Sequence, residues 1–289
     1  MLARSDLSTV LLKQPRRSCS FFFFFHFVPL RKIEMGSPLK LRVLILNPNS
    51  SEAMTEGMKT AVSKMALCEN LDIFTYTAPN FAPDSINDDE GIQASTEAVM
   101  SDILSGNLNP NSYDVILVAC FSVHTLVLKL SSMTTAAVTG IFEASILTSL
   151  SIIAPPGGRE SWGIVTTGSF WEKHLGDGVK AFLGQAAAQT NDRFAGAFSS
   201  GLTAGDFHTV SPAQVQAKLK DATARLLKSS EVGCVVMGCG GMAGLESIIR
   251  DTAIEVYGQE RGQSVYIVDG VRAGLLQLYQ IILSRREFA

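Results

Sequence analysis

Short apolar runs alternate with longer amphipathic segments from residue 41 to the end of the chain. The apolar runs predict strands, and the segments between them predict helices because their apolar residues recur at helical spacing. In the second of these helices the apolar positions are Ile92, Val99 and Ile103. Strands that alternate with helices favour parallel sheets joined by right-handed crossovers. The predicted fold class is therefore α/β.

The pattern also gives approximate bounds for each element. The predicted strands are Leu41–Leu46, Leu71–Thr75, Val115–Cys120, Val138–Ile141, Trp162–Thr166, Phe194–Phe198, Cys234–Cys239 and Val265–Val268. The predicted helices are Glu52–Met65, Asp89–Leu104, His124–Leu130, Glu143–Leu150, Phe170–Phe182, Pro212–Lys228, Leu245–Arg250 and Val271–Arg285. Two prolines followed by two glycines in Ala154–Gly158 predict a loop between two halves of the chain.

Strand ends in the two halves repeat at a constant offset. Asn47 and Thr166 follow strands 119 positions apart, and Cys120 and Cys239 end strands at that same offset. This matched spacing indicates an internal duplication. We therefore predict two similar domains with parallel sheets, related by a pseudo-two-fold axis, with the active-site cleft between them. Ligands bind beyond the carboxyl ends of parallel strands, so all four residues are expected at the cleft.

The predicted boundaries assign residues 41–140 and 265–289 to the first half and residues 141–264 to the second. Residues 1–40 are excluded from the fold as a leader, because they carry basic residues around a run of phenylalanines, Phe21–Phe25. We interpret this segment either as a targeting peptide, mitochondrial or secretory, or as sequence upstream of a true start at Met35.

Composition narrows the class of partner. The net charge is −3 and no basic stripe is present, which argues against nucleic acid. No apolar run is long enough for a transmembrane helix. The five cysteines are scattered and odd in number, which is typical of reduced thiols rather than of a disulfide framework. We expect a cytoplasmic protein, or a mitochondrial one if the leader is real, that binds a small molecule and is compatible with homo-oligomerisation.

Cys120 and Cys239 are the strongest candidates for chemistry. A thiolate and a thiol on opposite sides of a carbon can remove a proton from one face and return one to the other. A free thiol has a pKa near 8.5, so its base form needs help from a helix N-terminus or nearby donors. The alternative for any single strand-end cysteine is a small core residue. Cys19, Cys68 and Cys234 lack the matched pattern and are interpreted as structural or incidental.

Two polar loops and two glycines are candidates for binding the substrate. Asn47–Ser51 and Thr166–Ser169 offer amides, hydroxyls and backbone N–H groups, although plain helix capping would also explain them. Glycines after the second cysteine would let the backbone approach a ligand closely. The predicted substrate-binding residues are Asn47, Ser50, Phe121, Ser122, Thr166, Thr167, Gly240 and Gly241.

Two further residues have competing interpretations. His124 is either the base of a Cys120–His124 hydrolase pair or a packing residue. Glu143 either faces the cleft or is an ordinary carboxylate at a helix start. With four histidines and no clustered ligands the sequence predicts no metal site, and no loop has the glycine spacing of a dinucleotide site. We expect no cofactor.

Five segments together resemble the Asp/Glu/hydantoin racemase superfamily, in particular its hydantoin-racemase branch with fungal members of the DCG1 type. They are Leu41–Ser51, Val118–Ser122, Gly140–Ala144, Met237–Ala243 and Val268–Val271. The resemblance implies a cofactor-independent enzyme with two Rossmann-like halves and Cys120 and Cys239 as its catalytic pair. It also implies that Asn47 lies in the first binding loop and that Thr166 and the Gly240–Gly241 backbone complete the pocket.

The residues after Cys120 depart from the Asp-Pro-containing segment of bacterial hydantoin racemases. Here the segment is Phe121–Thr125. The leading hypothesis is a racemase or epimerase that acts beside a carbonyl, on a 5-substituted hydantoin or an allantoin-like ureide. The alternatives are an isomerase or decarboxylase that acts through a cysteine in the same fold, and a non-catalytic metabolite-binding protein.

Overall fold

Two parallel four-stranded sheets form the frame of the computed structural model, which describes residues 40–153, 160–186 and 188–289. The strands of the first sheet are β1 (Leu41–Asn47), β2 (Leu71–Thr77), β3 (Val115–Val118) and β4 (Ala137–Gly140). Those of the second are β5 (Ser161–Thr166), β6 (Phe194–Ser199), β7 (Val232–Gly238) and β8 (Tyr266–Asp269). The orders are β2-β1-β3-β4 and β6-β5-β7-β8, so the second sheet repeats the topology of the first. The predicted α/β class with two similar parallel sheets is confirmed.

Helices connect the strands and cover the sheets. They are α1 (Glu52–Ser63), α2 (Asp89–Ser105), α3 (Thr125–Met133), α4 (Ile141–Ile152), α5 (Phe170–Phe182), α6 (Asp206–Thr209), α7 (Pro212–Ser229), α8 (Glu246–Tyr257), α9 (Gln259–Ser264) and α10 (Gly270–Glu287). The two short helices, α6 and α9, are absent from the sequence prediction. Residues 1–39 of the predicted leader and the predicted loop Ala154–Gly158 lie outside the residues that the structure describes.

The central strands are buried on both faces, and their alternation divides the core into layers. In β1, Val43 and Ile45 belong to a core cluster that also contains Ile164 of β5 and Val236 of β7. The intervening Leu44 belongs to a separate cluster on the outer side of the first sheet. Side chains alternate across a strand, so each sheet packs one face on the shared core and the other on its own helices.

The fourth strands and the helices that follow them join the two halves. α4 follows β4 of the first sheet but packs against β7 and β8, whereas α10 follows β8 and packs against β3 and β4. The prediction that residues 265–289 belong to the first half is therefore wrong for β8, which pairs with β7. Within residues 265–289, β8 is the fourth strand that the duplicated topology requires in the second sheet. α10 then returns to pack on the first sheet. The described residues fall within one compact unit.

Candidate active site

A cavity at the carboxyl ends of the central strands brings the two predicted cysteines together. It is small, because the space that the centre of a water-sized sphere can reach is about 30 Å³, below the roughly 300–1,000 Å³ typical of small-molecule sites. It is lined by Asn49, Met54, Met58, Ile86, Ala119, Cys120, Phe121, Thr167, Trp171, Ala204, Gly238, Cys239, Gly240 and Gly241. Both strand-end thiols therefore border the same small space.

Cys120 lies two residues beyond the end of β3, in the turn before α3. Its sulfur lies 3.4 Å from the hydroxyl oxygen of Ser122. The pKa of the Cys120 thiol is raised to about 12, chiefly by burial, while the hydrogen bond with Ser122 lowers it and the neighbouring Cys239 and Glu143 raise it. The thiol form is therefore strongly favoured at neutral pH.

Cys239 lies directly after β7 and caps a short 3₁₀ turn. The backbone N–H of Gly241 donates to its sulfur at 3.3 Å. The pKa of the Cys239 thiol is raised to about 11, because burial outweighs the lowering effect of the backbone N–H groups of Gly241 and Met242. The two thiols thus have different surroundings, a hydroxyl for one and backbone donors for the other.

The glycines after Cys239 allow the two cysteine-bearing segments to touch. A Cβ at position 240 would lie 2.6 Å from Met58 Cε and 3.3 Å from the carbonyl oxygen of Ala119. A Cβ at position 241 would lie 3.1 Å from the carbonyl oxygen of Ala204. Side chains at either position would push the second segment away from the first, because backbone atoms cannot move aside as a flexible side chain can.

The first loop presents Asn49 to the cavity and uses Asn47 as its support. Asn47 is fully buried, and its side-chain amide donates to the carbonyl of Ser51 at 3.1 Å and to Thr55 Oγ1 at 2.9 Å. Its Oδ1 accepts from the Asn49 N–H at 3.2 Å. Asn49 Oδ1 in turn accepts from the Ser51 N–H, which leaves an amide N–H of Asn49 available beside its contact with the Met54 sulfur.

The other predicted binding residues also divide into those that line the cavity and those that support its loops. Phe121, Thr167, Gly240 and Gly241 line the cavity. Ser50 donates to the carbonyl of Ala82, and Thr166 donates to the carbonyl of Gly238, so both hydroxyls hold loops together. Ser122 reaches the cavity through its contact with Cys120.

Four large apolar side chains in the lining were not predicted from the sequence. Met54, Met58 and Trp171 lie on helices and Ile86 in the loop before α2. Apolar residues at helical spacing predict an ordinary core, so the pattern carries no sign that one end of each helix borders a cavity. Among the described residues that line the cavity, none carries a charged side chain.

His124 is a capping residue in this structure. Its Nδ1 accepts from the Leu126 N–H at 3.3 Å and its Nε2 lies 3.2 Å from the Ser95 hydroxyl, so both ring nitrogens are used away from Cys120. Burial lowers the pKa of His124 to about 4. The hydrolase hypothesis therefore lacks its base.

The comparisons with known proteins agree with this geometry. The family model for Asp/Glu/Hydantoin racemase matches residues 43–278. The chain belongs to the Asp/Glu/hydantoin racemase family. Its predicted class, an isomerase of the racemase type, is thereby confirmed.

Three relatives and one solved structure illustrate the similarity. The uncharacterized protein C1F7.10 of Schizosaccharomyces pombe is 29% identical over 84% of this chain and 92% of its own length. Protein DCG1 of Saccharomyces cerevisiae is 25% identical over 74% and 88%. The hydantoin racemase of Paenarthrobacter aurescens is 26% identical over 73% and 82%. The structure of allantoin racemase from Klebsiella pneumoniae has the same fold, with a TM-score of 0.67, 22% identity, and coverage of 84% and 88%.

Within the described ranges, His, Cys, Asp and Glu side chains form no group of three or more that could hold a metal ion. Of the helices that the structure describes, none is both long and apolar enough to span a bilayer.

Proposed function

We propose that this protein is a cofactor-independent racemase or epimerase in which Cys120 and Cys239 move a proton at a carbon next to a carbonyl. The observation that supports this proposal is that both thiols line one small cavity. A carbon held between them would have one sulfur on each face. Two groups of equal chemistry on opposite faces are what inversion of a stereocentre requires.

The reaction begins with one cysteine as thiolate and the other as thiol. The thiolate takes the proton, the C–H bond breaks, and its electron pair moves onto the carbonyl oxygen to form an enolate. The opposite thiol then gives its proton to the other face of the carbon. The amide of Asn49 and the hydroxyl of Thr167 are the lining groups best suited to stabilise the enolate oxygen, because both residues line the cavity and both side chains carry a hydrogen-bond donor.

A neutral ring suits this cavity better than a free amino acid. An ammonium and a carboxylate would both lose water in a lining without charged side chains, and an unpaired buried charge is costly. We therefore propose a 5-substituted hydantoin or an allantoin-like ureide as the substrate. Relatives named hydantoin racemase and allantoin racemase support this class.

Incubation with single enantiomers tests the proposal. Allantoin and several 5-substituted hydantoins are supplied as pure enantiomers, and optical rotation is followed with purified protein. Loss of rotation without a change of mass is the expected result. A product of changed mass would indicate decarboxylation or hydrolysis, and ligand-dependent thermal stabilisation without turnover would indicate a binding protein.

We also propose a reducing compartment, the cytoplasm, for this protein. Cys68, Cys120, Cys234 and Cys239 are all free thiols. Two adjacent thiols that must remain reduced suit such a compartment. Assembly into a homo-oligomer stays a prediction.

A further inference from the structure

The two sulfurs of the cavity have unequal surroundings, and the inequality has a consequence for the order of proton transfer. Cys239 Sγ accepts a hydrogen bond from the backbone N–H of Gly241. A backbone N–H can only donate, so this contact favours the thiolate over the thiol. The contact of Cys120 is with the hydroxyl of Ser122, which can donate or accept and so favours the thiolate less strongly.

Glu143 adds a second difference on the Cys120 side. Cys120 follows β3 and Glu143 follows β4. These two strands are adjacent, because Val118 of β3 pairs with Gly140 of β4. A Cβ at position 140 would overlap Glu143 Oε2, so the carboxylate is folded back onto the end of β4. That oxygen is buried and has no hydrogen-bond partner among the described residues. Burial raises the pKa of Glu143, and the backbone N–H groups of Glu143 and Gly140 lower it, so its ionised form is only partly stabilised and adds negative potential near Cys120.

In the second half, the buried carboxylate of Asp269 at the end of β8 is the N-cap of α10 and accepts from the backbone N–H of Arg272 at 2.8 Å. The residue that occupies the third position of α10, the counterpart of α4, is Arg272. Among described groups, the electrostatic influences on Cys120 come from Cys239 and Glu143, whereas those on Cys239 come from backbone donors. A nearby negative charge disfavours a second negative charge.

We propose that Cys239 is the sulfur that ionises first in the free protein, and that Glu143 acts as a positioning residue that keeps Cys120 in the proton-carrying thiol form. The free protein with a single thiolate then takes a substrate proton with Cys239 and supplies one from Cys120. After that turnover Cys239 carries the proton and Cys120 is the thiolate. The reverse reaction, or proton exchange with water, restores the first form. This role in catalysis rests on the proposed function, whereas the ionisation order does not.

Alkylation of each sulfur in the absence of substrate tests the proposal. Wild-type protein and Glu143→Gln are treated with iodoacetamide between pH 7.5 and 11.5, and the labelled peptides are quantified by mass spectrometry. In the wild type, the rise of the Cys239 rate should begin to flatten near pH 11, whereas the Cys120 rate should still rise steeply at pH 11.5. Glu143→Gln should raise the Cys120 rate by about threefold for each pKa unit removed, because a less basic thiolate is also a weaker nucleophile.

Internal and matched controls make the outcome specific. Cys239 in the same protein should keep its rate in Glu143→Gln. Glu246→Gln, which removes a carboxylate from the first turn of α8, should change neither sulfur. Ser122→Ala should slow Cys120 alone, and it provides an independent test if Glu143→Gln does not fold by circular dichroism.

Three outcomes would overturn the proposal. They are a Cys120 rate that levels off at or below the pH found for Cys239, an unchanged Cys120 profile in Glu143→Gln, and an equal shift of both sulfurs. An inactive protein with the expected alkylation profiles would contradict the proposed function and leave the ionisation order in place.

Discussion

Each cysteine of the cavity is a weaker acid than a cysteine in water, because burial disfavours the charged thiolate. Two-base proton transfer needs one thiolate, so the active fraction of the protein is small at neutral pH. Since the pKa of Cys239 is raised to about 11, its thiolate fraction increases about tenfold per pH unit below that value. Burial in the cavity therefore makes both thiols weaker acids. The same exclusion of water strengthens the hydrogen bonds that stabilise an enolate.

We predict that kcat/KM for racemisation rises continuously between pH 7 and pH 10. The physical reason is the growth of the Cys239 thiolate while Cys120 remains a thiol. Initial rates of loss of optical rotation measure it, with circular dichroism at each pH as the control for folding. A flat profile, or a decline within this window, would argue against thiolate chemistry.

His124 should control stability rather than catalysis. Its folded pKa of about 4 lies below the ordinary value of 6.5, so the unfolded chain binds more protons between these values. Stability from this residue is complete above pH 6.5 and is lost as the pH falls through 4. The loss amounts to about 3 kcal/mol at most.

We predict that His124→Asn reduces the dependence of the unfolding free energy on pH between 6.5 and 4. Asparagine preserves a cap for α3 but does not titrate. Urea unfolding at several pH values measures the effect. An unchanged slope in the variant, or a loss of turnover much larger than the loss of folded protein, would show that this assignment is wrong.

At the scale of elements, the loop between β1 and α1 uses one asparagine to hold its own backbone and another to line the cavity. Asn47 is bonded to three groups of the loop and its helix, and Asn49 carries the donor that reaches the cavity. The sequence predicted a binding loop here but emphasised Asn47. Periodicity places a loop at the end of a strand, yet it does not tell which side chain turns back onto the backbone.

We predict opposite phenotypes for the two asparagines. Asn47→Ala should lower the unfolding free energy by about 2–3 kcal/mol, because it leaves buried loop groups without partners. Asn49→Ala should lower kcat/KM about tenfold, the cost of roughly one hydrogen bond to the reacting carbonyl, with a smaller loss of stability. Thermal melts and steady-state kinetics on both variants distinguish them. The reverse assignment of phenotypes would refute this division of roles.

The sequence predicts a helix or strand correctly where its hydrophobic pattern is strong. The strands around Leu44 and Val235 and the helix Phe170–Phe182 were predicted because a long apolar run or helical period is decisive there. The cavity lining from Met58 and Trp171 was missed, because apolar residues of a helix look the same whether they face the core or a ligand.

At the scale of the whole molecule, the two halves share their core. α4 packs on the second sheet and α10 on the first, and one cluster of buried residues contains Val43 and Val236 of different sheets. This exchange explains why the sequence boundaries were wrong for β8. Pairing of strands is set by tertiary contacts that local pattern does not contain, whereas the repeat of topology did follow from the 119-residue offset.

We predict that the halves unfold in one cooperative transition. The two tryptophans, Trp162 and Trp171, both lie in the second half, whereas far-ultraviolet circular dichroism reports on all elements. Guanidinium unfolding followed by both signals should give coincident curves. Fluorescence and circular dichroism midpoints that differ clearly would show that the halves are independent.

The central claim is that both sulfurs act on one carbon. Racemisation of a single hydantoin enantiomer in deuterated water, compared for wild type, Cys120→Ser and Cys239→Ser, tests it most directly. The wild type should lose optical rotation with one deuterium at the stereocentre, and each variant should lose racemisation by a factor of about a thousand or more, because a serine hydroxyl is a far weaker acid than a thiol. Racemisation that survives in both variants would contradict the two-cysteine mechanism.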